Sequence, residues 1–253
     1  METYQIREKF NFKTPSGFKS YCHRNNIRMN ELRGKVLLKK IINEDIQYDH
    51  ELFGYFCGWM ASDGTMDRGR PRMRIQLQYA DKSILIKLGK VLILNFQEEM
   101  IYVSKKSNGF KYVALHIENK NLYEVVYSRG ITCAKTKTME LKIPKNEENS
   151  FLRGYLDGDG SVTFRKYIPK SGKRLGSIRY IGNENTMKMI HEIFKCHGLT
   201  SYCHRVGIEK YTFPFYQVSI HKKSSIRILY NILYKNNKIK LDRKHDKMFQ
   251  LLN

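Results

Sequence analysis

Two apolar stretches punctuate this chain. "FGYFCGWMASDGTM" (53–66) runs as a nearly unbroken hydrophobic block and then stops on an aspartate followed by glycine, and "FLRGYLDGDGSV" (151–162) ends the same way on Asp159 and Gly160. A block apolar on all sides predicts a helix buried on all sides. The first block is followed by a strict alternation: Met73, Ile75, Leu77 and Tyr79 interleave with Arg72, Arg74, Gln76 and Gln78. That is the period of a half-buried strand. The second is followed by "SVTFRKY", a turn at "PKSGKRLG" and "SIRYIG", a hairpin of the same kind.

The parallel continues. Helical periodicity predicts amphipathic helices at "DKSILIKLGKVLIL" and "NENTMKMIHEIFKCHG", with Asp81 and Asn183 or Asn185 in place to cap them. Two strands per half come next, at about 98–104 with "KYVALHIE" and at "TSYCHRVG" with "FYQVSIHK", and then the closing helices "NKNLYEVVYSRG" and "KSSIRILYNILYKN". The two terminal aspartates, Asp63 and Asp159, lie roughly a hundred positions apart, the size of a small domain. The expectation is an α+β protein of two pseudo-symmetric αββαββα halves, residues 48–141 and 151–253, joined by a polar linker at 142–150 that carries Pro144. Residues 1–47 fall outside the repeat and outline either a helix-turn-helix DNA-binding element or a packing arm.

Charge changes the picture. Lys and Arg total 46 against 24 Asp and Glu, a net charge of +22 spread along the whole chain. An extended anionic partner is the natural complement. Five cysteines, an odd number without a C-x-x-C pair, fit a reducing, intracellular setting better than a disulfide framework. "CHGLTSYCH" (196–204) lacks ordinary finger spacing. No apolar run reaches the length of a membrane span, and "METYQIREKF" does not have the pattern of a signal peptide.

Within the apolar helices, small residues recur four apart: Gly58 and Ser62 in the first, Gly154 and Gly158 in the second. Residues four apart share a helix face, so each helix presents a strip on which another backbone packs closely. Glycine inside a helix costs on the order of 1 kcal/mol against alanine, which calls for such a packing reason. Helices paired in this way bring Asp63 and Asp159 together at two negative helix ends. Like charges there repel, and a hard divalent cation relieves the conflict. Paired carboxylates, a divalent cation and a polyanionic partner together point to metal-assisted phosphodiester cleavage.

"FCGWMASDG" (56–64) and "LRGYLDGDG" (152–160) resemble the two signature motifs of the LAGLIDADG homing endonucleases in their single-chain, double-motif form. The resemblance extends through 135–162 and "LYKNNKIKLDRKHDKM" (233–248). It implies two sheets forming a saddle over double-stranded DNA, with the motif helices between them. It further implies that Asp63 and Asp159 bind Mg²⁺ (or Mn²⁺), each serving one strand across the minor groove to leave 3′ overhangs. Gly64 and Gly160 are carried as metal-site backbone positions just past each helix, where glycine is favoured at C′. It also implies assisting basic residues after the last helix of each half, which fall on Lys137 and Lys244, with Arg243 and Lys240 as close rivals. Ala61 stands where the second motif has Asp157, so only Asp63 serves the first half, and Asp157 reads as a helix-end hydrogen-bonding residue.

DNA reading falls to the polar strand faces: Arg68, Arg70, Arg72, Arg74, Gln76 and Gln78 in the first half, and Arg165, Arg179, Gln217 and His221 in the second. Arg and Gln suit bidentate contacts to guanine and adenine edges. One chain carries both halves, so a monomer is expected. Two rivals on the same fold are an intron RNA maturase and a non-cleaving DNA-binding regulator. No motif arranges a nucleophile with a base and an orienting acid, and no flanking splicing segments mark an intein.

Overall fold

The computed structural model describes residues 40–105, 109–135, 139–164, 176–206, 214–235, 237 and 239–253. The helix-turn-helix expectation for 1–47 lies almost wholly outside them. Ile41–Asn253 is one structural unit and contains both halves.

The first half comprises α1 (His50–Ala61), β1 (Gly64–Met66), β2 (Arg72–Gln78), α2 (Lys82–Leu92), β3 (Ile101–Lys105), β4 (Lys111–Glu118) and α3 (Lys120–Ser128). The second repeats it with α4 (Glu148–Asp157), β5 (Ser161–Phe164), β6 (Gly176–Gly182), α5 (Glu184–Cys196), β7 (Tyr202–Val206), β8 (Phe215–Ile220) and α6 (Lys223–Tyr234). A further helix, α7 (Asp242–Leu252), follows. The two sheets have one topology, β1-β2-β4-β3 and β5-β6-β8-β7, antiparallel throughout. This is the expected αββαββα pair. Helix α4 starts at Glu148, so the end of the polar stretch 142–150 belongs to it.

Local chemistry sets the helix starts. The Asp49 carboxylate accepts from the backbone N–H groups of Glu51 and Leu52 (3.1 and 3.0 Å), Asn119 from Leu122 (2.8 Å) and Asn183 from Thr186 (2.8 Å). Each satisfies a donor that the first turn leaves open. Asp81 departs from expectation: it stands at the start of α2 without capping it, because its carboxylate is engaged by Arg243 of the other half, through Nε and Nη2 at 2.8 Å each.

Helix α1 is buried on every side from Phe53 to Ala61, as an all-round apolar block requires. In β2 the alternation holds, with Met73, Ile75 and Leu77 buried and Gln76 and Gln78 exposed. It ends one step earlier than the sequence pattern, because Tyr79 leaves the strand for a 3-10 turn and is 44% exposed. Among the described residues, no helix is long and apolar enough to cross a membrane.

Candidate active site between two helix ends

Helices α1 and α4 meet along their small residues. A Cβ on Gly58 would sit 2.6 Å from Tyr155 N and 2.8 Å from Gly154 Cα; one on Gly154 would sit 3.1 Å from Gly58 Cα. One turn onward, a Cβ on Gly158 would overlap the Ser62 side chain and approach Asp63 Oδ2 to 3.2 Å. All four residues named for this interface are therefore in it. Two more were missed, Gly54 and Ser150, which meet at the opposite end of the strip. They lie four residues before Gly58 and Gly154, so the same spacing rule would have found them.

The helices run into one end together. Each closes with a cap residue of matching backbone, Ser62 (φ −90°, ψ −91°) and Gly158 (φ −76°, ψ −102°), and the next residue is the acid. Burial pushes the Asp63 carboxyl up to about 6, helped by the charge of Asp159 and opposed by Lys135 and Lys244. Asp159 is raised as well, first by burial, with the same two lysines opposing. The sequence reading that two carboxylates meet at negative helix ends holds.

Two lysines answer them. Lys244, in the first turn of α7, is buried and surrounds its ammonium with the carbonyls of Leu156, Asp157, Gly158 and Gly160 at 2.6–2.7 Å. Lys135 donates to the carbonyls of Met60, at 3.1 Å, and Ser62, the counterparts of Leu156 and Gly158 in the other motif. Each lysine thus closes the carbonyl end of its own half's motif helix, where a cation is favoured. Burial pulls each down to about 8, while the neighbouring aspartates pull it back up. The sequence reading named Lys244 and, in the first half, Lys137, which lies outside the described residues. Among the described residues a second lysine, Lys135, reaches the first helix end. Of the rivals, Arg243 is committed to Asp81, and Lys240 accepts from Lys87 Nζ through its backbone carbonyl at 3.4 Å.

The segments carrying these lysines are tied to the opposite half or to the motif helix. Asn183 Nδ2 donates to the carbonyls of Lys135 and Met139 at 3.3 and 3.1 Å. On the other side Arg243 grips Asp81, and Lys87 pairs with Asp242 at 3.0 Å. Asp157 accepts from Tyr55 OH (2.7 Å), Leu241 N (2.9 Å) and Tyr234 OH (3.3 Å). It is the helix-end hydrogen-bonding residue that the sequence indicated, and it anchors the approach to Lys244.

The glycines after the acids differ from expectation. Neither Gly64 nor Gly160 has a positive φ. They are glycine because the chain folds back on the last helical turn: a Cβ would lie 2.5 Å from Met60 Cα and 2.7 Å from Leu156 Cα, respectively. Gly64 is already the first residue of β1, and the Gly160 carbonyl is taken by Lys244.

Among the described residues no third His, Cys, Asp or Glu joins the two acids in a metal-binding group. Two desolvated carboxylates still fit a hard cation of the Mg²⁺ type, which binds through one or two carboxylates and completes its shell with water and phosphate oxygens. Beside Asp159 opens a cleft of about 320 Å³ whose walls include Ser62, Lys135, Met139, Tyr155 and Asn183.

The candidate DNA-reading residues divide. Arg74, Gln76 and Gln78 project from the polar face of β2, though Gln78 Nε2 also donates to Asp81 at 2.9 Å. Arg68 and Arg70 are exposed in the β1–β2 turn rather than on a strand face. Arg72 is tied to Asp67, 2.6 Å through Nε and 2.5 Å through Nη2. In the second sheet Arg179 lies between Ser161 and Ser219, and Gln217 between Ile181 and His204. Arg179 Nε is buried with no hydrogen-bond partner. His221 lies just past β8, with Nε2 3.2 Å from Ser219 Oγ. Arg165 lies outside the described residues.

Solved structures share this architecture. The chain is similar to the I-SmaMI LAGLIDADG homing endonuclease bound to cleaved DNA (TM-score 0.52, 12% identity, covering 78% of this chain and 86% of that one). It is also similar to the LAGLIDADG meganuclease I-AabMI bound to uncleaved DNA (TM-score 0.52, 11% identity, 79% and 90% covered). A third similar structure is the LAGLIDADG homing endonuclease I-GzeII in complex with its DNA target (TM-score 0.50, 11% identity, 77% and 87% covered). No family profile and no curated protein sequence matches the chain.

Proposed function

We propose that this chain, which has the fold of the LAGLIDADG homing endonucleases, is itself a site-specific DNA endonuclease that hydrolyses both strands of a long target across the minor groove, leaving 3′ overhangs. The observation that carries this reading is the pair Asp63 and Asp159, two acids at adjoining helix ends, the first half-buried and the second exposed, both with raised carboxyl groups. Two like charges at one place oppose folding, and Lys135 and Lys244 offset them only in part, since both carboxyl groups stay raised.

Asp63 and Asp159 would hold Mg²⁺ or Mn²⁺. When bound, such a cation polarises a phosphoryl oxygen and neutralises charge on the phosphate. The chain's own residues do the rest. The lysine-closed helix ends fix the two carboxylates, and Lys135 and Lys244 set positive charge beside the incoming phosphate. In the reaction water adds to phosphorus, one P–O ester bond breaks, and the water's proton is matched by protonation of the departing alkoxide. Both acids reside on one chain, so a monomer suffices. A DNA substrate sets the site of action inside the cell.

The net charge of +22 and the basic, Gln-bearing face of β2 support a DNA partner.

The test is cleavage of a randomised duplex library by the purified protein, with Mg²⁺ against EDTA, alongside Asp63→Asn and Asp159→Asn. Metal-dependent cuts at one recurring sequence, lost in both variants, are expected. Binding without cutting in any divalent metal would overturn the nuclease reading and leave a nucleic-acid-binding scaffold.

A further inference from the structure

The register of the two sheets matches each strand residue of one half to a counterpart in the other. Thr65 and Ser161 both stand two positions after their acid, and they pair with Arg74 and Arg179. Two residues further along, β2 carries Gln76 and β6 carries Ile181. Across the sheet Gln76 pairs with Ala114 of β4, and Ile181 pairs with Gln217 of β8. The same rows end on the edge strands, at Tyr102 in the first half and His204 in the second.

Matched rows thus hold a glutamine and an apolar side chain in exchanged places. In the first half the glutamine is on β2; in the second it is on β8, the counterpart of β4. Ile75 and Tyr180, one step back along β2 and β6, are fully buried, so both rows lie on the opposite, open face. Gln76 is exposed there, and Gln217 and Ile181 are half-buried. Ala114 is itself buried, and the apolar surface offered beside it is the ring of Tyr102, 61% exposed.

A glutamine amide fits N7 and N6 of adenine, and an apolar side chain fits the thymine methyl. One of each, side by side, complements a single A·T pair in the major groove, which admits two neighbouring strands. The pseudo-symmetry of the halves turns β2 and β6 toward opposite DNA strands. Glutamines at matched positions would therefore read adenines on opposite strands, as in a palindrome. Exchanged glutamines read them on one strand.

Resting on the DNA-target reading above, we propose that Gln76 with Tyr102, and Gln217 with Ile181, each specify an A·T pair. The two pairs lie at equal distances from the centre of the cut, because both rows stand in the same register to their acid, and both adenines are on the same DNA strand. The target is asymmetric at two places where the fold is symmetric.

The experiment selects sites from the randomised duplex library with the full chain in two ways, by cleavage in Mg²⁺ and by binding in EDTA. Wild-type sites are expected to carry the two equidistant A·T pairs, adenine on one strand at both, preferred over other pairs by roughly tenfold or more. Gln76→Ala should bring the preference at its own position to within about twofold and leave the other position unchanged. The triple variant Ile181→Gln/His204→Tyr/Gln217→Ala copies the first-half row into the second half. It should move the second adenine to the opposite strand, a new preference that a merely damaged protein does not acquire, and thermal melting establishes that each variant is folded. Adenines on opposite strands in wild-type sites, no preference at the matched positions, or a triple variant that keeps the wild-type preference would overturn the proposal and leave the nuclease reading intact. Sites bound with this base pattern but never cut would support the proposal and overturn the nuclease reading alone. Neither selective binding nor cleavage would overturn both.

Discussion

Gly58 and Gly154 face each other across the two motif helices so closely that a Cβ on the first would lie 2.8 Å from the Cα of the second. The atoms around that added methyl are Phe151 O and Tyr155 N, which are backbone and cannot turn aside. Gly58→Ala therefore forces the helices apart, and overpacking of this kind costs about 1–3 kcal/mol or more. Urea unfolding should show that loss. The acids follow directly on the ends of these two helices, so cleavage should fall further than stability, by at least about a hundredfold if they move by an ångström.

Asp63 makes the folded state less stable when it is ionised. Its carboxyl is raised from 3.8 to about 6, so between those values the folded protein retains a proton that the unfolded chain has lost. Stability thus falls as pH rises through this window, and the penalty is complete above about 6. Asp63→Asn removes it. The variant should be more stable than the wild type at pH 7, on the order of 1–2 kcal/mol once partial solvent screening is allowed for, and its melting temperature should vary less between pH 4 and 6. Added Mg²⁺ should raise the melting temperature of the wild type above pH 6 and raise that of the variant less. A variant less stable than the wild type at pH 7 would contradict this account.

What the sequence made legible follows from what repeats. The matched Asp-Gly endings after two apolar helices located the acids, and four-residue spacing located the helix interface. Period-two alternation located the polar face of β2. What escaped is set by contacts between distant segments. Nothing local to Asp81 says that Arg243 will claim it from a helix start, and nothing in "CAKTKT" says that Lys135 will reach the carbonyls of Met60 and Ser62. Gly64 and Gly160 were read through helix-cap conformation, but their cause is the chain doubling back on Met60 and Leu156. Helix α7 was missed because "DRKHDKMFQLL" is mostly polar and gains its apolar stripe only through Met248 and Leu251.

Arg153 is wholly buried in α4, yet every side of its guanidinium is met. Nε donates to Ile239 O at 3.0 Å, Nη1 to Leu233 O at 3.1 Å and Nη2 to Glu51 at 2.5 and 2.8 Å, while the group lies 4.7 Å from the Tyr55 ring centre. Arg153→Met keeps the bulk but takes a donor from the Ile239 carbonyl, the cation from Glu51 and one of two donors from the Leu233 carbonyl, which keeps Asn237 Nδ2. The expected loss is about 3–5 kcal/mol by chemical denaturation. Arg153→Lys should recover little, since an ammonium lacks the planar fork that reaches three partners.

The basic face of β2 separates two arginines that look alike in sequence. Arg72 already has a partner, Asp67, at 2.5–2.6 Å, and that pair braces the β1–β2 turn. Arg74 pairs across the sheet with Thr65 and His116 in register, and its side chain lies on the polar face. A phosphate contact from Arg74 releases counterions, whereas Arg72 must first give up Asp67. Arg74→Ala should therefore weaken binding to the recovered target and lower the slope of log K against log salt by about 1, with little change in melting temperature. Arg72→Ala should leave the slope nearly unchanged and lower the melting temperature slightly. If Arg74→Ala instead relaxes preference at one base pair without altering the slope, Arg74 reads a base edge. Equal slope changes for the two variants would mean that the Arg72–Asp67 pair opens on DNA.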